Sequence, residues 1–357
     1  MLVDHVHKIA VLRANAIGDF IFTLPALEAL RHAYPQAEIV LLGLDWHAAF
    51  LKGRPGPVDR VVAIPPLEGL PPEGVKEDPQ QAARFFERMR AEGFDLALQM
   101  HGGGRYSNRL VGGLGARLTA GTRTPDAPAL DRWIPYNYFH LEVLRYLEIA
   151  ALVGAGPVVL EPRLQLLPSD LEEAASVLPP DGHPLVAVHA GAGDGRRRWP
   201  PEKFASVAGS LARAGARVAV VGAGRDREAV QELAGCMREP FDNLCGRLSL
   251  GGLAGLLSRC RVVVSNDSGP LHVAAAVGAA TVGVYWCGNL INAGPVTTAR
   301  HRARISWRLD CPLCGANCIT ASCSHHVSFV ADIPVEEVLE PALELFQQDR
   351  PVYEAGK

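Results

Sequence analysis

The stretch from Arg261 to Ala276 constrains this chain more than any other. An apolar run, Arg261 to Ser265, reads as a buried strand. It stops at Asn266-Asp267-Ser268-Gly269 and gives way to Pro270-Leu271-His272-Val273-Ala274-Ala275-Ala276, which reads as a helix. Proline suits a first helical turn because its missing N–H has no partner there anyway. A strand that turns through small residues into a helix presents backbone N–H groups and the positive end of a helix dipole, which together suit a phosphate. An ordinary capped strand-to-helix turn has the same outline. Asp267, Ser268, Gly269 and His272 are therefore candidate phosphate-binding residues whose weight depends on the rest of the chain.

The same alternation runs along the whole sequence. Lys8–Leu12, Glu38–Leu42, Val58–Ile64 and Asp95–Gln99 read as strands; Phe20, Leu24, Leu27 and Leu30 recur at helical spacing, and Gln80–Glu92 reads as a helix. Pro65 to Pro79 is a Pro-rich loop. Prolines then cluster between Gly154 and Pro184, with one short helix, Asp170–Val177, among them. A second set follows: strands Leu185–His189, Arg217–Val221, Val262–Ser265 and Thr281–Tyr285, with helices from Pro201, from Asp226, near Leu250–Leu257 and from Pro270. Alternation of this kind means α/β architecture, with two doubly wound parallel sheets. The expected boundaries are a first domain over 1–165, a linker over 166–183, a second domain over 184–334, and a C-terminal helix in 335–357 packing back on the first domain. In such sheets ligands bind outside the carboxyl ends of the strands, so two facing sheets make an interdomain cleft.

A length of 357 residues suits two domains with sizeable cores. A formal net charge of -3, nearly balanced in both halves, argues against a nucleic-acid partner. The start lacks the layout of a secretory signal. Ser268 to Ala299 carries no Lys, Arg, Asp or Glu, but Gly278, Gly283, Gly288 and Pro295 interrupt it, so a helix, strand and loop explain it better than a membrane span. A cytoplasmic protein with at most peripheral membrane contact is expected. Four of the eight cysteines, Cys311, Cys314, Cys318 and Cys323, cluster. Cys311-Pro312-Leu313-Cys314-Gly315 has the shape of a zinc knuckle, although the remaining spacing is tighter than a zinc ribbon. A structural zinc, an iron–sulfur site, reduced thiols and a disulfide all stay open, each bracing the second domain without a part in catalysis.

Three further strand ends carry chemistry. Asp19 follows Gly18 at the opening of a helix, where a carboxylate is either a cap or a general base. His189-Ala190-Gly191-Ala192-Gly193-Asp194-Gly195 leads into Arg196-Arg197-Arg198-Trp199-Pro200; its glycines let backbone wrap an anion and its arginines neutralise one. A solvated charge run is the alternative for one or two of the three. Gly222-Ala223-Gly224-Arg225-Asp226 lacks the third glycine of a dinucleotide fingerprint, which excludes a nicotinamide site on this loop. Asp226 is either the next N-cap or an acceptor for a ribose hydroxyl.

Arg13-Ala14-Asn15-Ala16-Ile17-Gly18-Asp19, the Gly191 loop ending in Trp199-Pro200, and Asp267-Ser268-Gly269-Pro270-Leu271-His272 preceded by Gly246-Arg247-Leu248-Ser249-Leu250 stand in an order that resembles glycosyltransferase family 9, the lipopolysaccharide heptosyltransferases. The resemblance runs from Lys8 to about Phe346. It implies a GT-B fold, two facing Rossmann-like domains with the acceptor on the first and the nucleotide-sugar donor on the second. It also implies inverting, metal-independent transfer of a heptose or related sugar from an ADP-sugar to a lipopolysaccharide core or similar glycan. The family's base falls on Asp19, and its donor diphosphate site on Gly191, Gly193, Arg197, Asp226, Asp267, Ser268, Gly269 and His272. Two positions depart from the pattern: Arg197 stands where the family usually has Lys, and Ser268 where some members have Thr.

Between Gln99 and Pro125, Arg105, Arg109, Arg117 and Arg123 occur without an Asp or Glu. Arg105 and Arg109, with Arg13, are candidate contacts for an acidic acceptor carrying phosphate or a carboxylated sugar; a solvated helix face is the plainer alternative. Two other functions share the same motifs, a nucleotide-sugar-binding protein with weak or lost transfer, and a nucleotide-sugar epimerase or hydrolase. Of the transferase and the binding protein, only the transferase needs Asp19 as base.

Overall fold

In the computed structural model, residues 1–70, 74–321 and 323–348 are described; 71–73 of the Pro-rich loop, residue 322 and 349–357 of the C-terminal segment lie outside them. The chain divides into two compact units, Met1–Gln165 and Leu166–Lys357.

The first unit holds strands β1 (Lys8–Leu12), β2 (Glu38–Gly43), β3 (Arg60–Ala63), β4 (Leu96–Gln99), β5 (Leu118–Arg123) and β6 (Arg132–Pro135) in the order β3-β2-β1-β4-β5-β6. The second holds β7 (Leu185–His189), β8 (Arg217–Val220), β9 (Asp242–Asn243), β10 (Val262–Asn266), β11 (Ala280–Trp286) and β12 (His301–Ser306) in the order β12-β11-β10-β7-β8-β9. All pairings are parallel. Counted within each unit, both orders are 3-2-1-4-5-6, the Rossmann arrangement. The strand order reverses between β1 and β4 in the first unit and between β7 and β10 in the second. Those two places are where such sheets open a crevice for ligands.

The central strands bury both faces: Ile9, Val11, Leu12, Ile39 and Leu98 in one sheet, and Val186, Val188, Val262 and Val264 in the other, are fully enclosed. That is why they read as continuous apolar runs. Helix Leu24–Ala33 starts afresh after helix Ile17–Ile21, with Pro25 at its second position, because proline closes no bond to the preceding turn.

Two expected boundaries are corrected. The segment 166–183 is not a linker: helix Pro168–Val177 packs on helix Leu250–Arg259 within the second unit. Gly255 makes this possible, since a Cβ there would sit 2.2 Å from the Asp170 carbonyl oxygen. The C-terminal helix, Val335–Gln347, packs on the second unit rather than back on the first. Its apolar stripe of Val338, Ala342, Leu345 and Phe346 fills the core against helix Pro201–Arg213 and strands β10 to β12.

Candidate functional site

In the first unit, the loop after β1 is organised by Arg13, whose side chain is 1% exposed. A buried guanidinium must be paired or it costs several kcal/mol. Its Nη2 donates to Asp19 Oδ1 at 2.8 Å and to Glu142 Oε2 at 2.8 Å, its Nε to the Asp19 carbonyl at 3.1 Å, and its Nη1 to the Met100 carbonyl at 2.8 Å. The cation also lies 4.9 Å from the ring centre of Tyr146, whose hydroxyl donates to Glu142 at 2.7 Å. Glu142, Arg145 and Tyr146 come from helix Glu142–Leu152.

Asp19 is the third residue of helix Ile17–Ile21. Its Oδ2 accepts the Ala16 N–H at 3.2 Å while Oδ1 takes Arg13, so both the capping role and the fixed, partly exposed carboxylate expected of a base are present. From the end of β4, His101 accepts the Ala14 N–H at 3.3 Å. Burial, and then the Arg13 charge, drive His101 down to about 3. Burial above all, with the Arg13 charge adding to it, brings His47 down to about 4. Both rings are held neutral near pH 7, so neither adds a positive charge beside the Arg13–Asp19 pair.

Arg105 and Arg109 follow β4 on the 102–109 segment. Their side chains are 66% and 64% exposed, with long ion pairs to Asp126 at 3.7 Å and Glu68 at 3.9 Å. The other two arginines of that stretch are committed elsewhere. Arg117 donates to the Asp4 carbonyl, and Arg123 donates to the Ala127 carbonyl and lies over Trp133.

In the second unit, the ends of β7 and β10 meet. Asn266, fully buried, accepts the Trp199 N–H at 2.9 Å and donates to the Ala190 carbonyl at 2.7 Å, so the strand end of β10 anchors both ends of the Gly-rich loop. Asp267, 1% exposed, contacts His272 Nε2 at 3.1 Å and accepts from Arg197 Nη1 at 3.1 Å. Burial pushes its carboxyl up, but His272 and Arg197 outweigh that and hold it below the usual range. Arg197 uses only Nη1 in this way; its Nε and Nη2 make no hydrogen bond among the described residues. Arg196 is paired with Asp194 instead, and Arg198 donates to the Ala192 carbonyl.

Helix Gly269–Ala276 begins at Ser268, whose hydroxyl does not cap it. That hydroxyl bonds His189 Nδ1 at 3.0 Å, and the other ring nitrogen of His189 lies 3.4 Å from Asp226 Oδ2. Asp226 does not cap the next helix, Arg227–Cys236. Its carboxylate turns back to accept the Ala223 N–H at 2.8 Å. Burial raises that carboxyl, while the His189 bond and charge and the Ala223 N–H lower it further. A Cβ on Gly191 would lie 2.3 Å from Asp226 Oδ1, so the loop passes this carboxylate only as glycine. Gly193, farther along, is exposed.

The residues missed from the sequence are Glu142, Tyr146, His189 and Asn266. The pattern Glu142-x-x-Arg145-Tyr146 at the start of a helix that is apolar beyond Glu148 was the available signal for the first two. Among the cysteines, the ligand atoms that converge are those of Cys311, Cys314, Cys323 and His325, all within 4.8 Å of one another. Cys318 is not one of the four; its Sγ lies 3.7 Å from that of Cys323.

The model of the family described as glycosyltransferase family 9 (heptosyltransferase) matches residues 82–310. Lipopolysaccharide heptosyltransferase 2 of Salmonella typhimurium is 25% identical over 320 residues, covering 84% of this chain and 87% of that protein. The crystal structure of a family 9 glycosyl transferase from Veillonella parvula superposes with a TM-score of 0.81 at 22% identity, over 98% of this chain and 99% of that one. The structure of the E. coli ADP-heptose lps heptosyltransferase II does so with a TM-score of 0.75 at 21% identity, over 95% and 98%.

Replacing Arg13 by Met leaves Asp19 and Glu142 facing each other without their cation, and lowers urea stability by about 3–5 kcal/mol. Asp226 and Asp267 give an acid dependence. Both carboxyls sit below the ordinary 3.8, so their stabilisation is complete above that value and is lost as pH falls through the folded values. The stability deficit of Asp267→Asn, measured by urea unfolding, therefore holds steady above about pH 5 and shrinks as pH falls below about 4.

Proposed function

The chain belongs to glycosyltransferase family 9, and on that premise we propose that it moves a heptose or a closely related sugar from an ADP-sugar to a lipopolysaccharide core or similar glycan, with inversion and without a catalytic metal. The two Rossmann units are those of the GT-B fold. The observation that carries the reading is the pair of charge-matched strand ends. Asp19 is held on buried Arg13 in the first unit, and Arg197 is held on buried Asp267 beside a helix N-terminus in the second.

Asp19 takes the proton from an acceptor hydroxyl as that oxygen attacks the anomeric carbon from the face opposite the diphosphate. The bond from that carbon to the diphosphate oxygen breaks, and ADP leaves with the electron pair. The charge that grows on the leaving oxygens falls to Arg197 and to the N–H groups at Gly269, with His272 and Ser268 beside them. Fixed donors aimed at such charge are worth about 2.7–4 kcal/mol each. Arg at position 197 suits this geometry. One nitrogen grips Asp267 while Nε and Nη2, on the same edge of the guanidinium, are available to two phosphate oxygens. A lysine offers a point charge to the same pair of tasks.

Gly191 and Gly193 bring backbone close to the donor, and Asp226 shapes that pocket by fixing His189 and crowding Gly191. Exposed, loosely paired Arg105 and Arg109 meet an acidic group of the acceptor, phosphate or sugar carboxylate, with Arg13 acting through Asp19. No helix among the described residues is long and apolar enough to cross a membrane. With a lipid-linked acceptor, the enzyme works peripherally at the inner face of the inner membrane. The cysteine cluster takes a structural role.

Asp19→Asn lowers the single-turnover rate of sugar transfer by roughly 100- to 10,000-fold while ADP affinity stays at the wild-type value. Transfer at near wild-type rate by this variant overturns the assignment of the base.

A further inference from the structure

The cysteine cluster does more than close a surface hairpin. Cys311, Cys314, Cys323 and His325 present three sulfurs and one imidazole nitrogen within 4.8 Å of one another, and Cys311 Sγ lies 3.6 Å from His325 Nδ1. A tetrahedral ion with metal–sulfur bonds of about 2.3 Å and metal–nitrogen bonds of about 2.0 Å has ligand-to-ligand edges of about 3.5–3.8 Å. The local backbone already aims the first two thiols at one point. Gly315 N–H closes the turn onto the Cys311 carbonyl at 2.9 Å, and the Cys311 N–H bonds the Ala316 carbonyl at 2.8 Å.

The segment just after His325 is bonded to the arginine loop. The Phe329 N–H donates to the Arg196 carbonyl at 2.8 Å, and the Ser328 hydroxyl donates to the Arg198 carbonyl at 2.6 Å. Phe329 itself is fully buried, and packs edge-on against Trp286 with ring centres 5.5 Å apart. The His326 carbonyl oxygen would lie 2.9 Å from a Cβ on Gly195. Arg196 and Arg198 flank Arg197, so any group that fixes residues 325–329 also fixes the position of the Arg197 backbone.

We propose that Cys311, Cys314, Cys323 and His325 hold one thiophilic transition-metal ion, zinc or iron, and that this ion braces the 193–198 loop from behind. Both metals accept a tetrahedral sulfur-rich set with one imidazole. The ion takes no part in transfer. Its effect on donor affinity rests on the proposed donor-binding role of that loop, whereas metal binding and loop order do not.

The test is elemental analysis of the purified full-length protein, with hydrogen exchange followed at residues 325–330 and ADP affinity measured before and after chelation. One equivalent of zinc or iron is expected in wild type and in Cys318→Ser, and its loss in Cys314→Ser and His325→Gln. Chelation of the wild type raises exchange at the Phe329 amide and weakens ADP binding. Metal-free wild type, a Cys318–Cys323 disulfide in its place, or metal retained by the His325→Gln and Cys314→Ser variants overturns the site. Unchanged Phe329 exchange after the metal has been removed overturns the brace. Wild type that carries the metal and protects Phe329 but binds no ADP counts against the functional reading and leaves the metal site standing.

Discussion

A charge enclosed in protein has to be answered, and each unit of this chain encloses one at the point where its strand order reverses. In the first unit it is the Arg13 cation; in the second it is the Asp267 anion, each 1% exposed. Removing a partner from such a pair costs several kcal/mol, more than any surface interaction nearby offers. The answering groups are therefore fixed in place. Around Arg13 they are Asp19 and Glu142; around Asp267 they are Arg197 and His272. In both cases a side chain of the candidate site is oriented by a buried opposite charge, and the sheet supplies the place while the charge supplies the aim.

Backbone chemistry follows the same economy of space. The Gly-rich loop is tied down at both ends by one side chain, Asn266, and passes Asp226 where only glycine fits. Trp199, fully buried, fixes the far end by donating from its indole to the Ile333 carbonyl at 3.0 Å. A loop that carries three consecutive arginines beside its own acids needs such anchors to keep from collapsing onto them. Asp194 shows why, for it captures Arg196 outright.

Much of this was legible in the sequence, for a physical reason. Central strands such as Leu185–His189 and Lys8–Leu12 are buried on both faces, and their residues announce it; their observed spans equal the expected ones. Of the four edge strands, only β3 does so, through Val61 and Val62. β6 is mostly exposed, β9 has two residues and β12 alternates arginine with Ala303 and Ile305, so none of these three carries an apolar run. Helix Pro168–Val177 was legible to within two residues, but its place in the second unit was not, because its packing partners lie far off in sequence, at Gly251 and Gly255. The strand-turn-helix at Asp267 was legible because its unusual residues are contiguous. Glu142 was not, because it meets Arg13 across 129 residues of sequence. The cysteine cluster lies between these cases: the knuckle was readable, but spacing favoured Cys318 where folding brings His325.

The central claim is that the second unit holds an ADP-sugar through Arg197 and the helix that starts at Gly269. Calorimetric titration of the purified protein with ADP, GDP, UDP and CMP, without added metal, tests it most directly. The account predicts saturable one-site binding of ADP in preference to the other three. No binding by any of them, or a preference for a pyrimidine nucleotide, would contradict it.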